Sequence, residues 1–151
     1  FLLSIDLTRT VKYHFAAPDE PLAQLVTNPS GLDASAGPGL WVRIVDLPRA
    51  LAERRYTAPV DVVLDVTDTM LPGNAGRWRL VGDATAARCE ATDDEPDLAI
   101  DVGHLGAAYL GGTSLLSLGA AGLVTESRAG TLAAASTAFS WSPAPLSIEI
   151  F

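Results

Sequence analysis

The chain has 151 residues, and 10 Lys+Arg against 18 Asp+Glu give a formal charge of −8. That length suits one domain spanning residues 1–151, with a core large enough to need no staple. The single cysteine, Cys89, excludes an internal disulfide and a cysteine-rich zinc site, and the acidic balance argues against nucleic-acid partners and anionic membrane surfaces.

A hydrophobic fraction of 48% with 19% charged residues is that of a globular chain. The apolar stretch 105–124 is broken by Gly106, Gly111, Gly112, Thr113 and Ser114, so it falls short of the roughly 18 residues of a membrane span. No basic region precedes Phe1–Ile5. A secretory signal is therefore not expected, and the expected location is cytoplasmic. The first residue is Phe1, and the sequence reads as a piece of a longer protein.

Residues 8–15 (TRTVKYHF) are β-rich and predict a strand. Asp19-Glu20-Pro21 opens a short helix over 22–27, which Asn28-Pro29 ends. Residues 31–39 are rich in Gly, Ala, Ser and Pro and read as a loop. Residues 40–45 (LWVRIV) predict a strand. Asp46 and Pro48 then start a helix with Leu47, Ala50, Leu51 and Arg54 on one face and an Arg49–Glu53 pair.

Period-two alternation over 60–67 gives the clearest strand. Residues 76–81 and 87–92 alternate again around a Gly82-Asp83 turn, making an antiparallel meander. Residues 98–102 predict a short strand, and Asp101 can cap the helix that follows. Helices are expected over 102–110, 113–123 and 131–140, and a closing strand over 146–151. The class is α+β: a mostly antiparallel sheet with helices packed on one face.

Little of this spells chemistry. Gly37-Pro38-Gly39 precedes a strand instead of opening a helix, so it is a poor phosphate cradle. Gly112-Thr113-Ser114-Leu115-Leu116 lacks the last glycine of a nucleophile elbow. Cys89 sits on the apolar face of its strand and reads as a buried, inert thiol. His104 reads as a surface or cap residue, and Asp93, Asp94, Glu95 and Asp97 as a solvated turn without regular calcium-ligand spacing. Trp41, Trp78 and Trp141 read as core or interface anchors. The small residues of 102–140 either pack closely or leave an apolar tunnel beside the sheet.

Four strings go further: Gly39-Leu40-Trp41-Val42-Arg43-Ile44; Leu47-Pro48-x-Ala50-Leu51-x-x-Arg54-x-Tyr56; Val63-Leu64-Asp65-Val66; and Leu105-Gly106-x-x-Tyr109-Leu110-Gly111-Gly112. Together with Arg88-Cys89 and a final phenylalanine, they resemble the C-terminal region of the enhanced intracellular survival (Eis) family of N-acetyltransferases. The likeness runs from about residue 6 to Phe151. It implies a sterol-carrier-protein-like fold that follows two GNAT-type acetyltransferase domains in the same chain. Acetyl-CoA would be bound there, with no cofactor held by the present residues and no metal.

The same resemblance implies acetylation of amines, aminoglycosides among them, in a hexamer of two stacked trimers. It assigns the general base to the main-chain carboxylate of Phe151. An α-carboxyl titrates at about 3.3–3.7 and is a poor base unless burial or a second carboxylate raises it; Glu149, two residues back, can supply that neighbour. Ser35 and Pro38 stand where family members carry Trp and Asp, and Ile150 where they carry an acidic residue. The amine pocket is thus less acidic and less aromatic than the family's. Two further readings stand beside this one: a lipid or sterol carrier module, and a purely structural oligomerisation domain.

Overall fold

The alternation of residues 60–67 builds the centre of the sheet. In the computed structural model, which describes residues 9–37 and 39–148, β1 (Val60–Thr67) pairs antiparallel with β2 (Gly76–Gly82), and β2 with β3 (Ala87–Ala91). β4 (Leu98–Asp101) lies on the other side of β1, parallel to it, with Leu64 opposite Leu98. A three-residue β5 (Val124–Glu126) pairs antiparallel with β4 and completes the order β3-β2-β1-β4-β5. The sheet is mostly antiparallel, as expected.

Registry puts Val62, Leu64 and Val66 on one face with Leu80, Cys89, Leu98, Ile100 and Val124. That face carries the helices α2 (Leu47–Glu53), α3 (Val102–Tyr109), α4 (Leu115–Ala120) and α5 (Thr131–Phe139). Their Leu47, Leu51, Val102, Leu105, Leu115, Ala135 and Phe139 join the strand residues in one buried cluster. The other face is charged: Arg79 of β2 makes two 2.9 Å bonds to Asp61 of β1.

The chain divides into two units. The larger, Trp41–Pro145, holds the sheet and α2–α5; the smaller contains the described residues up to Leu40 and those from Leu146. Within the smaller unit, α1 is a four-residue helix (Leu22–Leu25), followed by a 3-10 turn at Pro29–Leu32. Tyr13 donates to Glu20 at 3.2 Å.

Several expected elements differ. Residues 9–15 form no strand. Val11, Tyr13 and Phe15 are exposed, so their alternation has no core to face, and Phe15 has φ +59°. α1 stops at Leu25 because Val26 is extended, ahead of an Asn28-Pro29 step that disfavours helix.

Residues 41–45 also form no ladder. Ile44 is buried, but its carbonyl accepts from the Asn74 side chain at 3.2 Å, and Leu47 N–H donates to the same side chain at 2.9 Å. Residues 146–148 form no strand, and the rest of that expected strand lies outside the described residues. β5 was not expected: three residues are too few for a periodic signal. α4 is shorter than expected and closes at Gly122, whose φ of +74° is the left-handed conformation that ends helices.

Candidate functional site

Of the residues singled out for the reaction, only Ser35 is described. It is exposed in the loop of the smaller unit. Pro38, Glu149 and Phe151 lie outside the described residues.

The most constrained polar cluster is one that patterning missed. Asp68 follows the end of β1, and its side chain is fully buried. Its Oδ1 accepts from the Arg43 guanidinium, from Met70 N–H at 3.0 Å and from Leu71 N–H at 2.9 Å. Its Oδ2 accepts from the Asn74 amide at 3.0 Å. Burial would raise the Asp68 pKa, but these four donors outweigh it and hold the carboxyl well below the usual carboxylate range. Asn74 is 3% exposed and fastens the segment before α2 to the turn before β2. The only sequence signal was the Asp itself, placed where a side chain can accept from the N–H groups just ahead.

The segments that this cluster ties together carry exposed apolar side chains. Exposure alternates along 41–45: Trp41 is 84% exposed and Val45 72%, while Ile44 between them is buried. Met70, in the loop that Asp68 holds, is 76% exposed, and Leu71 is also exposed.

Arg54 organises a second cluster. Its Nε donates to Tyr109 O at 2.8 Å and its Nη2 to Phe139 O, the last residues of α3 and α5. The guanidinium lies 4.7 Å from the Tyr56 ring centroid and 4.6 Å from that of Phe139. A cation at two helix C-termini is electrostatically favourable, and stacking on the rings adds to it. Burial lowers the Arg54 pKa, yet a guanidinium keeps its charge. Thr57 completes the end of α5, with its hydroxyl donating to Thr137 O at 2.7 Å and its N–H to Ala138 O at 3.1 Å.

The remaining chemical candidates are absorbed by structure. Ser114 is the N-cap of α4 and accepts from Ser117 N–H at 3.0 Å. Asp97 accepts from Val63 N–H at 2.8 Å and pairs with both nitrogens of the Arg128 fork. Asp94 and Glu95 pair with Arg79 and Arg77. Among the described residues no group of His, Cys, Asp and Glu could hold a metal ion. Cys89 is buried and its thiol is pushed up to about 12, chiefly by burial. His104, in the first turn of α3, is half-buried, and its Nδ1 has no hydrogen-bond partner among the described residues.

Two cavities stand out. One, of about 550 Å³, is at the β2–β3 turn and the start of β1, with Asp61, Asp83 and Arg88 in its wall. The other, of about 280 Å³, is on the charged sheet face among Asp61, Val63, Arg79, Asp97 and Arg128. Both are open to solvent, and neither lies between sheet and helices. A phosphate-rich group such as acetyl-CoA does not fit either one. Both walls carry carboxylates; in the smaller, Arg79 and Arg128 are already committed to Asp61 and Asp97, and in the larger a single arginine, Arg88, stands with Asp61 and Asp83. Among the described residues no helix is long and apolar enough to cross a membrane.

Several residues of the strings that carry the family resemblance are scaffold. A Cβ on Gly106 would meet Val42 O at 2.7 Å, and one on Gly112 would meet Pro145 at 2.8 Å. Tyr109 donates to Ala50 O at 3.0 Å and Tyr56 to Leu51 O at 2.9 Å.

Comparison with known proteins matches this architecture. The chain belongs to the sterol carrier protein domain family, which matches residues 47–147. It is 50% identical over 145 residues to an uncharacterized N-acetyltransferase of Streptomyces coelicolor, covering 96% of this chain and 35% of that protein. It is 36% identical over 109 residues to the N-acetyltransferase Eis of Mycobacterium tuberculosis, covering 69% of this chain and 25% of that protein. Among solved structures it resembles Eis1 from Mycobacterium abscessus, with TM-score 0.75 and 40% identity, over 89% of this chain and 34% of that one. The chain therefore spans about a third of the length of the relatives it matches, and in the Eis proteins that part is C-terminal.

Proposed function

We propose that this chain is the C-terminal domain of an acetyl-CoA-dependent amine N-acetyltransferase. It closes the amine pocket, contributes to a homo-oligomer and supplies the general base, while acetyl-CoA is bound by acetyltransferase domains that precede it in the same chain. The observation that carries this reading is the 50% identity over 96% of the chain to a protein named as an uncharacterized N-acetyltransferase, together with the 36% identity to the N-acetyltransferase Eis.

The described part of the domain is well suited to the role of partner. Its signature residues lock helices to one another, and its cavities do not suit acetyl-CoA. In this reading the base is the main-chain carboxylate of Phe151, with Glu149 beside it. An ionised α-carboxylate attracts a cationic amine, and a second carboxylate nearby raises its pKa toward that of a useful base. Ser35 and Pro38 line the amine pocket and make it accept less cationic and less extended amines than a pocket bearing Asp and Trp.

The test is acetyl transfer from acetyl-CoA to a panel of amines by the full-length protein, with and without Phe151. The expected result is turnover that falls by about 100-fold or more on truncation, the range for a positioned base, with unchanged circular dichroism. Retained turnover would remove the base from Phe151. An inactive but folded full-length protein would remove the acetyltransferase reading itself.

A further inference from the structure

The surface formed by Trp41, Val45, Met70 and Leu71 is built to lose its water. We infer that it is the face on which the acetyltransferase region of the same polypeptide docks, an inference that rests on the function proposed above. Three observations carry it.

The first is composition. An 84%-exposed tryptophan and a 76%-exposed methionine are of the residue types enriched in protein interfaces, and the exposed Val45 and Leu71 add apolar area to them. Their two segments are tied together, because the Arg43 guanidinium between Trp41 and Val45 in sequence reaches Asp68, and Asp68 accepts from Met70 N–H and Leu71 N–H.

The second is electrostatic. A cation in the middle of an apolar interface is costly unless it is already paired. Arg43 is paired before any partner arrives, to a carboxylate whose other acceptor positions are filled by Met70, Leu71 and Asn74. Covering the surface therefore strands no charge. Asn74 fixes the loop and the 41–45 segment against each other from below, so the anchor side chains stand on a rigid base and little order has to be gained on docking.

The third is length. The relatives are about three times longer than this chain, and interfaces between domains of one chain commonly cover about 600–1,500 Å². Segment 41–45 has the sequence of a strand but joins no ladder, and no backbone hydrogen bond of Trp41, Arg43 or Val45 is found among the described residues. Those N–H and C=O groups are free for a neighbouring backbone, so the face offers main-chain hydrogen bonds beside its apolar anchors.

The experiment is hydroxyl-radical footprinting of the full-length polypeptide, read by mass spectrometry at Trp41 and Met70. The same polypeptide unfolded in urea is the reference, and acetyl transfer is measured on the same preparation. Docking is expected to cut labelling at both residues by about fivefold or more, as at a dry interface core. Labelling within about twofold of the unfolded rate, as an uncovered surface of this exposure requires, would overturn the docking face. If acetyl transfer is intact in that case, the acetyltransferase reading survives. Protection that disappears on dilution to the monomer would give the face to a second copy and overturn the inference as well.

Discussion

Asp68 keeps a negative charge on a side chain with no solvent access. It does so by collecting four donors from three different segments. Its pKa is depressed, so the folded chain holds that proton less tightly than the unfolded one. The stabilisation is fully present above the unfolded carboxyl pKa of about 3.9 and is lost as pH falls through the lower folded value. Urea midpoints measured from pH 7 downward should fall once pH drops below about 4, and Asp68→Asn should show a shallower fall. Asn74→Ala leaves Leu47 N–H, Ile44 O and one Asp68 oxygen without their partner and should cost about 2–4 kcal/mol in urea unfolding. Cys89 gives a contrasting residue-scale prediction. Its thiol is buried and pushed up to about 12. Iodoacetamide at pH 8 should label the native chain at least about 100-fold more slowly than the urea-unfolded chain, because only an exposed thiolate reacts; comparable rates would mean the strand opens readily.

At the scale of elements, two glycines separate kinds of close approach. A Cβ at Gly106 of α3 would lie 2.7 Å from the Val42 carbonyl oxygen, a backbone atom that can move only if the whole 41–44 segment lifts. Gly106→Ala should therefore cost about 1–3 kcal/mol, the scale of overpacking. A Cβ at Gly119 of α4 would lie 2.5 Å from Leu132 Cδ2, the far end of a flexible side chain. Leucine can change rotamer, and alanine gains about 0.5–1 kcal/mol of helix propensity over glycine, so Gly119→Ala should be close to neutral. Thermal melts of the two variants side by side check the contrast; equal losses would contradict it. Element type was legible where a sequence period had a face to bury. β1, with Val60, Val62, Leu64 and Val66 facing the helices, is where the alternation placed it. Residues 9–15 and 41–45 carry the same kind of pattern but found no ladder, because strand formation needs a partner edge that a local pattern does not specify.

For the molecule as a whole, Arg54 is the join. It leaves the end of α2 and bonds to the last residues of α3 and α5, while Tyr109 of α3 returns a bond to Ala50 of α2. Arg54→Met keeps the stem but removes the charge from two helix C-termini, and should cost about 2–4 kcal/mol, the scale for a broken buried polar network. Arg54→Lys should rescue only part of this, since an ammonium cannot stack on Tyr56 and Phe139 while bonding to both carbonyls. Guanidinium unfolding of the three proteins decides it. The sequence alone determined the α+β class, the three-stranded meander, the buried cysteine and the family, because each depends on neighbours in the chain or on strings of fixed residues. Only the tertiary structure decided that Arg54 bonds to two helix ends, that Asp68 and Asn74 tie the segment before α2 to the turn before β2, and that Trp41 and Met70 both stand in solvent. Those bonds join residues from 25 to 85 positions apart. Hydrophobic periodicity reports which way a side chain faces, but not which distant backbone group it will meet.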